Sequence, residues 1–250
     1  MWNFAIVDES TAEGSKPEFG GTITVPEWKE GCEALTVYMN RDFAYHWGGL
    51  YQWRYAGVNR SDVKEGEVPV LIMDKLEVDG AVAFHDKDGN AIPYIELGRE
   101  YCTSFAMGSS SVTGALGHEG VETGADAPAN MWADAADVSW ALETGDPVQE
   151  WGYNVNGIYV SDFVLPRFFG LGSKGPWNFG ATHSGPSLRA PFTLAPGGYA
   201  IVRKIGTGEK QIYGSIGEHR AMKKLRPSSR TMKRLGVGQE HVVHAAISRS

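Results

Sequence analysis

Cysteine is nearly absent from the chain: Cys32 and Cys102 are the only two in 250 residues. Two thiols exclude the disulfide framework of a small secreted scaffold, and a chain of this length has no need of one. Free thiols in a reducing compartment are the expectation. Long apolar runs are missing too, since no stretch reaches the 18 or so consecutive apolar residues that a membrane span requires. Residues 1–7 contain no basic leader followed by an apolar core, so synthesis in the cytoplasm and a soluble product are expected. Repeats of 20 to 50 residues are absent, which argues against solenoids and propellers.

What the chain does have is glycine, 32 residues, and tryptophan, 8 residues, within a composition that is 42% hydrophobic and 21% charged. That balance suits a globular domain with tight turns and large aromatic packing pieces, and it disfavours a long-helix bundle. Charge is unevenly placed. Residues 219–250 hold eight Lys or Arg against one acid, Glu240, a net +7 that leaves −14 on the remainder. We therefore divide the chain into an α+β domain, residues 1–218, and a basic C-terminal arm, residues 219–250.

The arm has few large apolar residues and a Pro227-Ser228-Ser229 break, so it is expected to order only against an acidic partner. Copies of the same chain or other proteins are preferred to nucleic acid, because no aromatic residues interleave with the basic ones to stack on bases.

Within the body, residues 27–44 place Cys32, Leu35, Met39 and Phe43 at three- and four-residue steps, the signature of a helix packed on one face. Short β-rich runs follow at 51–55, 68–73, 81–84 and 93–97, separated by turn sequences, and read as a meander or mixed sheet. A second helix is expected in the later half of residues 103–123. Residues 138–142, 191–194 and 199–205 read as strands, and Asn156-Gly157 predicts a type I′ hairpin turn within residues 154–160.

The chemistry lies in His118-Glu119-x-x-Glu122. On a helix, residues four apart share a face with Cβ atoms about 5–6 Å apart, so His118 and Glu122 can hold one divalent ion such as zinc. A catalytic zinc site needs a third protein ligand. Glu119 would stand beside the ion as general base and take a proton from the attacking water. Glu143, at the end of the 138–142 strand, is the preferred third ligand. Asp126 is the alternative, available only if the helix continues past Gly124, which Gly124 and Pro128 argue against.

Several blocks resemble, in the same order, a family of uncharacterised phage and prophage proteins of zincin-like metallopeptidase type. They are Arg41-Asp42-Phe43-Ala44-Tyr45-His46-Trp47-Gly48, Gly80-Ala81-Val82-Ala83-Phe84-His85-Asp86, His118-Glu119-Gly120-Val121-Glu122, Ala141-Leu142-Glu143-Thr144-Gly145-Asp146-Pro147-Val148, Val160-Ser161-Asp162-Phe163-Val164-Leu165-Pro166 and Ala190-Pro191-Phe192-Thr193-Leu194-Ala195-Pro196-Gly197-Gly198-Tyr199. Together they span most of residues 35–205.

The resemblance implies a zincin-like domain with a mixed sheet, a zinc ion and phage origin. Two roles follow: a metal-dependent hydrolase acting on peptide bonds, or a virion structural protein, made in the bacterial host cytoplasm, that keeps the fold without catalysis. This chain departs from the family's Ser-His-Glu-(Val/Leu)-Leu-Glu by carrying Gly117 and Gly120, with Gly114 and Gly124 nearby. Each interior glycine costs a helix up to about 1 kcal/mol relative to Ala, so this helix requires close packing or a bound ligand.

His46 and His85 also fall in matching blocks. A lone histidine beside aromatics reads first as a hydrogen-bonded core residue and second as part of a site. Cys102 has no base fixed beside it by the sequence and is not expected to be a nucleophile.

Overall fold

A computed structural model describes residues 1–77, 81–204, 208–214 and the pair 242–243. It shows a mixed α+β chain with two five-stranded sheets and few helices. The basic arm, apart from Val242–Val243, lies outside the described residues. No helix among the described residues is long and apolar enough to cross a membrane.

The first sheet contains β1 (Trp2–Asp8), β2 (Tyr51–Gly57), β3 (Val68–Met73), β4 (Ala83–Lys87) and β5 (Pro93–Gly98), in the order β2-β1-β3-β5-β4. Neighbours run parallel except β4, which pairs antiparallel with β5 at the edge. The sheet is therefore mixed, and the four expected strands are present with modest shifts in their ends. Strand β1 was not anticipated, although it pairs with both β2 and β3 and its Phe4, Ala5, Ile6 and Val7 are fully buried. A continuous apolar run is what a strand covered on both faces requires.

Helix α1 (Val25–Val37) starts at a capping box in which Thr24 Oγ1 accepts from the Glu27 N–H and the Glu27 carboxylate accepts from the Thr24 N–H at 2.7 Å. It continues through a π-helical turn, Tyr38–Phe43, into α2 (Ala44–Trp47). The expected face, Cys32, Leu35, Met39 and Phe43, is buried as its spacing predicts.

Helix α3 (Val112–Ala125) follows, with Ser111 as N-cap accepting from the Gly114 N–H at 3.0 Å. Beyond it, β6 (Trp132–Ala135), β7 (Val138–Ala141), β10 (Tyr199–Lys204), β11 (Gly208–Tyr213) and β12 (Val242–Val243) form the second sheet, in the order β11-β10-β7-β6-β12. Strands β8 (Gly152–Val155) and β9 (Ile158–Ser161) form the expected hairpin, and Asn156 and Gly157 both take positive φ as a type I′ turn demands.

Two sequence expectations are corrected. Residues 191–194 form a turn, because Phe192 lies in the left-handed region at φ 52° and turns its ring onto Trp140, Phe168 and Phe169. Helix α3 is not stopped by Gly124. It runs to Ala125, and Gly124 is the point of closest approach to Phe43, whose Cε1 would stand 2.7 Å from an added Cβ.

The same close packing explains how a glycine-rich helix persists. Helix α3 lies in the main core with Tyr38, Trp53, Phe43 and Val160, and its Leu116 and Val121 are fully buried. At Gly120 an added Cβ would stand 2.8 Å from Trp53 Cζ2, a rigid ring that itself stacks on Phe4, whereas at Gly117 it would meet neighbours at an ordinary 3.4 Å. The two positions should respond oppositely to alanine. Gly117→Ala is expected to stabilise by up to about 1 kcal/mol through helix propensity. Gly120→Ala should cost about 1–3 kcal/mol in overpacking, which outweighs the same gain. Urea denaturation of the two variants measures this, and shifts of the same sign would contradict the packing account.

Candidate metal centre

Seven ionisable side chains converge where α3 passes between the edge of the first sheet and the turn that follows β7. Helix α3 supplies His118, Glu119 and Glu122, and Asp126 caps its C-terminus. Strand β4 supplies His85, and residues 143–146 supply Glu143 and Asp146, the latter opening a 3₁₀ turn, Asp146–Val148. All seven are buried: His118 is 8% and Glu119 4% exposed, and the other five are at 2% or less.

The helix spacing works as expected. His118 Nε2 lies 3.3 Å from Glu122 Oε1 and 3.2 Å from Asp146 Oδ1. The N–H groups of Gly145 and Asp146 both donate to Glu122 Oε1 at 3.3 Å, which orients that carboxylate from the opposite side. Gly145 is needed at this approach, because an added Cβ would stand 2.5 Å from His118 Nδ1.

His85 reaches the other side of Glu122. Its Nδ1 is 3.2 Å from Glu119 Oε2 and 3.5 Å from Glu122 Oε2, while its Nε2 lies 3.2 Å from the Asp126 carbonyl oxygen and 3.9 Å from Glu143 Oε2. Asp126 Oδ2 accepts from the Met131 N–H at 2.7 Å.

Two overlapping trios therefore have ligand atoms close enough to share an ion: His118, Glu119 and Glu122, and His85, Glu122 and Glu143. A tetrahedral zinc with bonds near 2.0–2.1 Å spaces its donors about 3.3 Å apart, and within the first trio the 3.3 Å between His118 Nε2 and Glu122 Oε1 matches that spacing. The imidazole and carboxylate donors are also the types that zinc accepts. The buried His and Glu groups thus fit a divalent ion.

Of the residues expected from the sequence, His118, Glu119 and Glu122 come together as the helix requires. Glu143 joins Glu122, but in the trio with His85. Asp126 is buried against the same side, its carboxyl pushed up to about 6 by burial and by the Glu143 charge. Two residues were missed as ligand candidates. Asp146 lay in plain view in the Asp-Pro-Val block, three positions after Glu143, but only the turn geometry brings its Oδ1 to 3.2 Å from His118 Nε2. His85 is at an inward position of β4, and nothing local distinguishes it from a core histidine until α3 is known to cross there. His46 stays apart, half-buried against Tyr45 and Phe179. Both cysteines are buried and free, with thiols pushed up to about 12 by burial, which removes them as nucleophiles.

No family model, curated protein or solved structure matches the chain.

In the metal-free protein, burial disfavours the His118 imidazolium, but Glu122, Asp146 and Glu119 outweigh it and hold the ring's pKa well above its ordinary value. A raised pKa gives stability that is complete below the unfolded value, about 6.5 for histidine, and is lost as pH rises through the folded one. Asp126 acts in the same sense over a lower window, from the ordinary carboxylate range to about 6. The chelated chain should therefore lose stability between about pH 3.8 and 6 through Asp126, and again on the alkaline side through His118. Urea midpoints against pH measure this, with Asp126→Asn expected to lack the lower step; midpoints that climb steadily to pH 8 would contradict it.

Proposed function

We propose that the chain is a zincin-like, metal-dependent hydrolase acting on peptide bonds, with zinc held by His118, Glu122 and Asp146 and with Glu119 as general base. The observation that carries this reading is the buried trio His118, Glu119 and Glu122, whose ligand atoms lie within 4.8 Å of one another, with Asp146 Oδ1 3.2 Å from the same His118 Nε2. The mixed sheet and the H-E-x-x-E helix support the zincin-like part, as does the block resemblance to phage and prophage proteins.

Zinc, when bound, acts as a Lewis acid that makes water a nucleophile near neutral pH and polarises a carbonyl. The remaining work falls to the side chains. Glu119, next to His118 in sequence and the more exposed of the two helix carboxylates, would accept the proton of the attacking water and return it to the leaving amine. His85 Nδ1 lies 3.2 Å from Glu119 Oε2. The backbone N–H pair of Gly145 and Asp146 fixes Glu122 so that one oxygen faces His118. His118 and Glu119 retain the cluster's largest exposures, so solvent and substrate would approach from the side that carries the base.

The burial of the other five residues favours a second reading, a closed metal centre that staples α3 to both sheets without catalysis, as in a virion structural protein. The two differ in what Glu119 does. Purified full-length protein should cleave members of a mixed peptide library, and Glu119→Gln should retain the ion but lose about 10²–10⁴-fold in rate. Metal-loaded wild type that cleaves no peptide, or Glu119→Gln cleaving at the wild-type rate, would overturn the hydrolase reading.

A further inference from the structure

The two oxygens of Glu122 face different imidazoles: Oε1 lies 3.3 Å from His118 Nε2, and Oε2 lies 3.5 Å from His85 Nδ1. A carboxylate that only completed a single-ion site would not need a second imidazole on its far oxygen.

We infer that the cluster holds two divalent cations side by side, spanned by Glu122, with the second ion bound by His85, Glu122 and Glu143. This inference rests on the metal-binding part of the reading above and adds a site to it.

The hydrogen bonding of His85 supports the second position. Its Nε2 faces the Asp126 carbonyl oxygen at 3.2 Å, and a carbonyl can only accept. The ring hydrogen therefore belongs on Nε2, a backbone-carbonyl contact typical of metal-ligating histidines. In the neutral ring, Nδ1 then presents a lone pair towards Glu122 Oε2 at 3.5 Å, an arrangement that a cation shared with Glu143 would stabilise.

A second, independent feature points to the same place. Asp126 Oδ1 is fully buried beside Glu143 and His85 and has no hydrogen-bond partner among the described residues. A buried carboxylate oxygen in that state is destabilising, and an adjacent divalent ion would offset the cost.

The charge count agrees. The cluster buries five carboxylates, Glu119, Glu122, Asp126, Glu143 and Asp146, with two imidazoles. With both rings neutral, one divalent cation leaves the seven groups at −3 and two leave them at −1. Residual charge of the first size, out of water, is strongly destabilising.

The test is metal stoichiometry, read without any assay of activity. Full-length protein, stripped by chelator and reloaded with Mn(II), is expected to bind two ions per chain by elemental analysis. Its electron paramagnetic resonance should show an exchange-coupled pair in place of an isolated six-line Mn(II) signal. His85→Gln, checked for wild-type circular dichroism, should bind one ion and show the isolated signal. Glu122→Gln should weaken both sites at least tenfold. If saturated wild type holds one ion per chain, with an uncoupled signal, and His118→Ala removes it, the second site is wrong while the single-ion hydrolase reading stands. His85 would then be a protonated partner of Glu119. If wild type holds no ion, both readings fall.

Discussion

Burial of like charge at the end of α3 is the constraint on which the rest of the structure depends. Five carboxylates and two histidines lie out of water in one buried cluster, five of these seven groups in two trios that share Glu122. An unpaired buried ion costs several kcal/mol, and a domain's whole net stability is about 5–15 kcal/mol. The fold cannot carry five such groups uncompensated. Protons or metal ions must balance them, and, although burial opposes it, the surrounding carboxylates shift His118 towards holding a proton, as burial and the Glu143 charge shift Asp126. Cations are the better solution at neutral pH, because they leave carboxylates ionised and use the imidazole lone pairs.

The chain brings these groups together by making three separate elements meet. His85 comes from the antiparallel edge of the first sheet, Glu143 and Asp146 come from the turn leaving β7 in the second, and α3 passes between them. Close approach is what the glycines of α3 provide. Gly120 and Gly124 let the helix sit against Trp53 and Phe43, and Gly145 lets the turn reach the His118 ring. The helix propensity lost at these positions is offset by core contacts and, in our reading, by ligand bonds that tie both sheets to one helix.

Much of the helical framework was legible in the sequence, because its period is local. Cys32, Leu35, Met39 and Phe43 marked the buried face of α1 and its extension, and His118, Glu119 and Glu122 shared a face for the same reason. The Asn156-Gly157 turn was legible because its φ requirement admits few residues. What the sequence could not supply was long-range juxtaposition. Strand β1 has no alternation to mark it, since consecutive residues Phe4 to Val7, which point to opposite faces, are all buried. The strand expected at 191–194 failed because Phe192 answers to an aromatic cluster rather than to a ladder. Asp146 was not weighed as a ligand because only the direction of the turn after β7 brings it to His118, and His85 depended on which strand lies at the sheet edge.

The central claim is that an ion sits between His118, Glu122 and Asp146, and crystals of the full-length protein grown with zinc test it most directly. An anomalous difference map collected above the zinc edge should show a peak within bonding distance, about 2.0–2.2 Å, of His118 Nε2, Glu122 Oε1 and Asp146 Oδ1. A map with no peak there, and with His118 hydrogen-bonded directly to the two carboxylates at the separations seen here, would contradict the account.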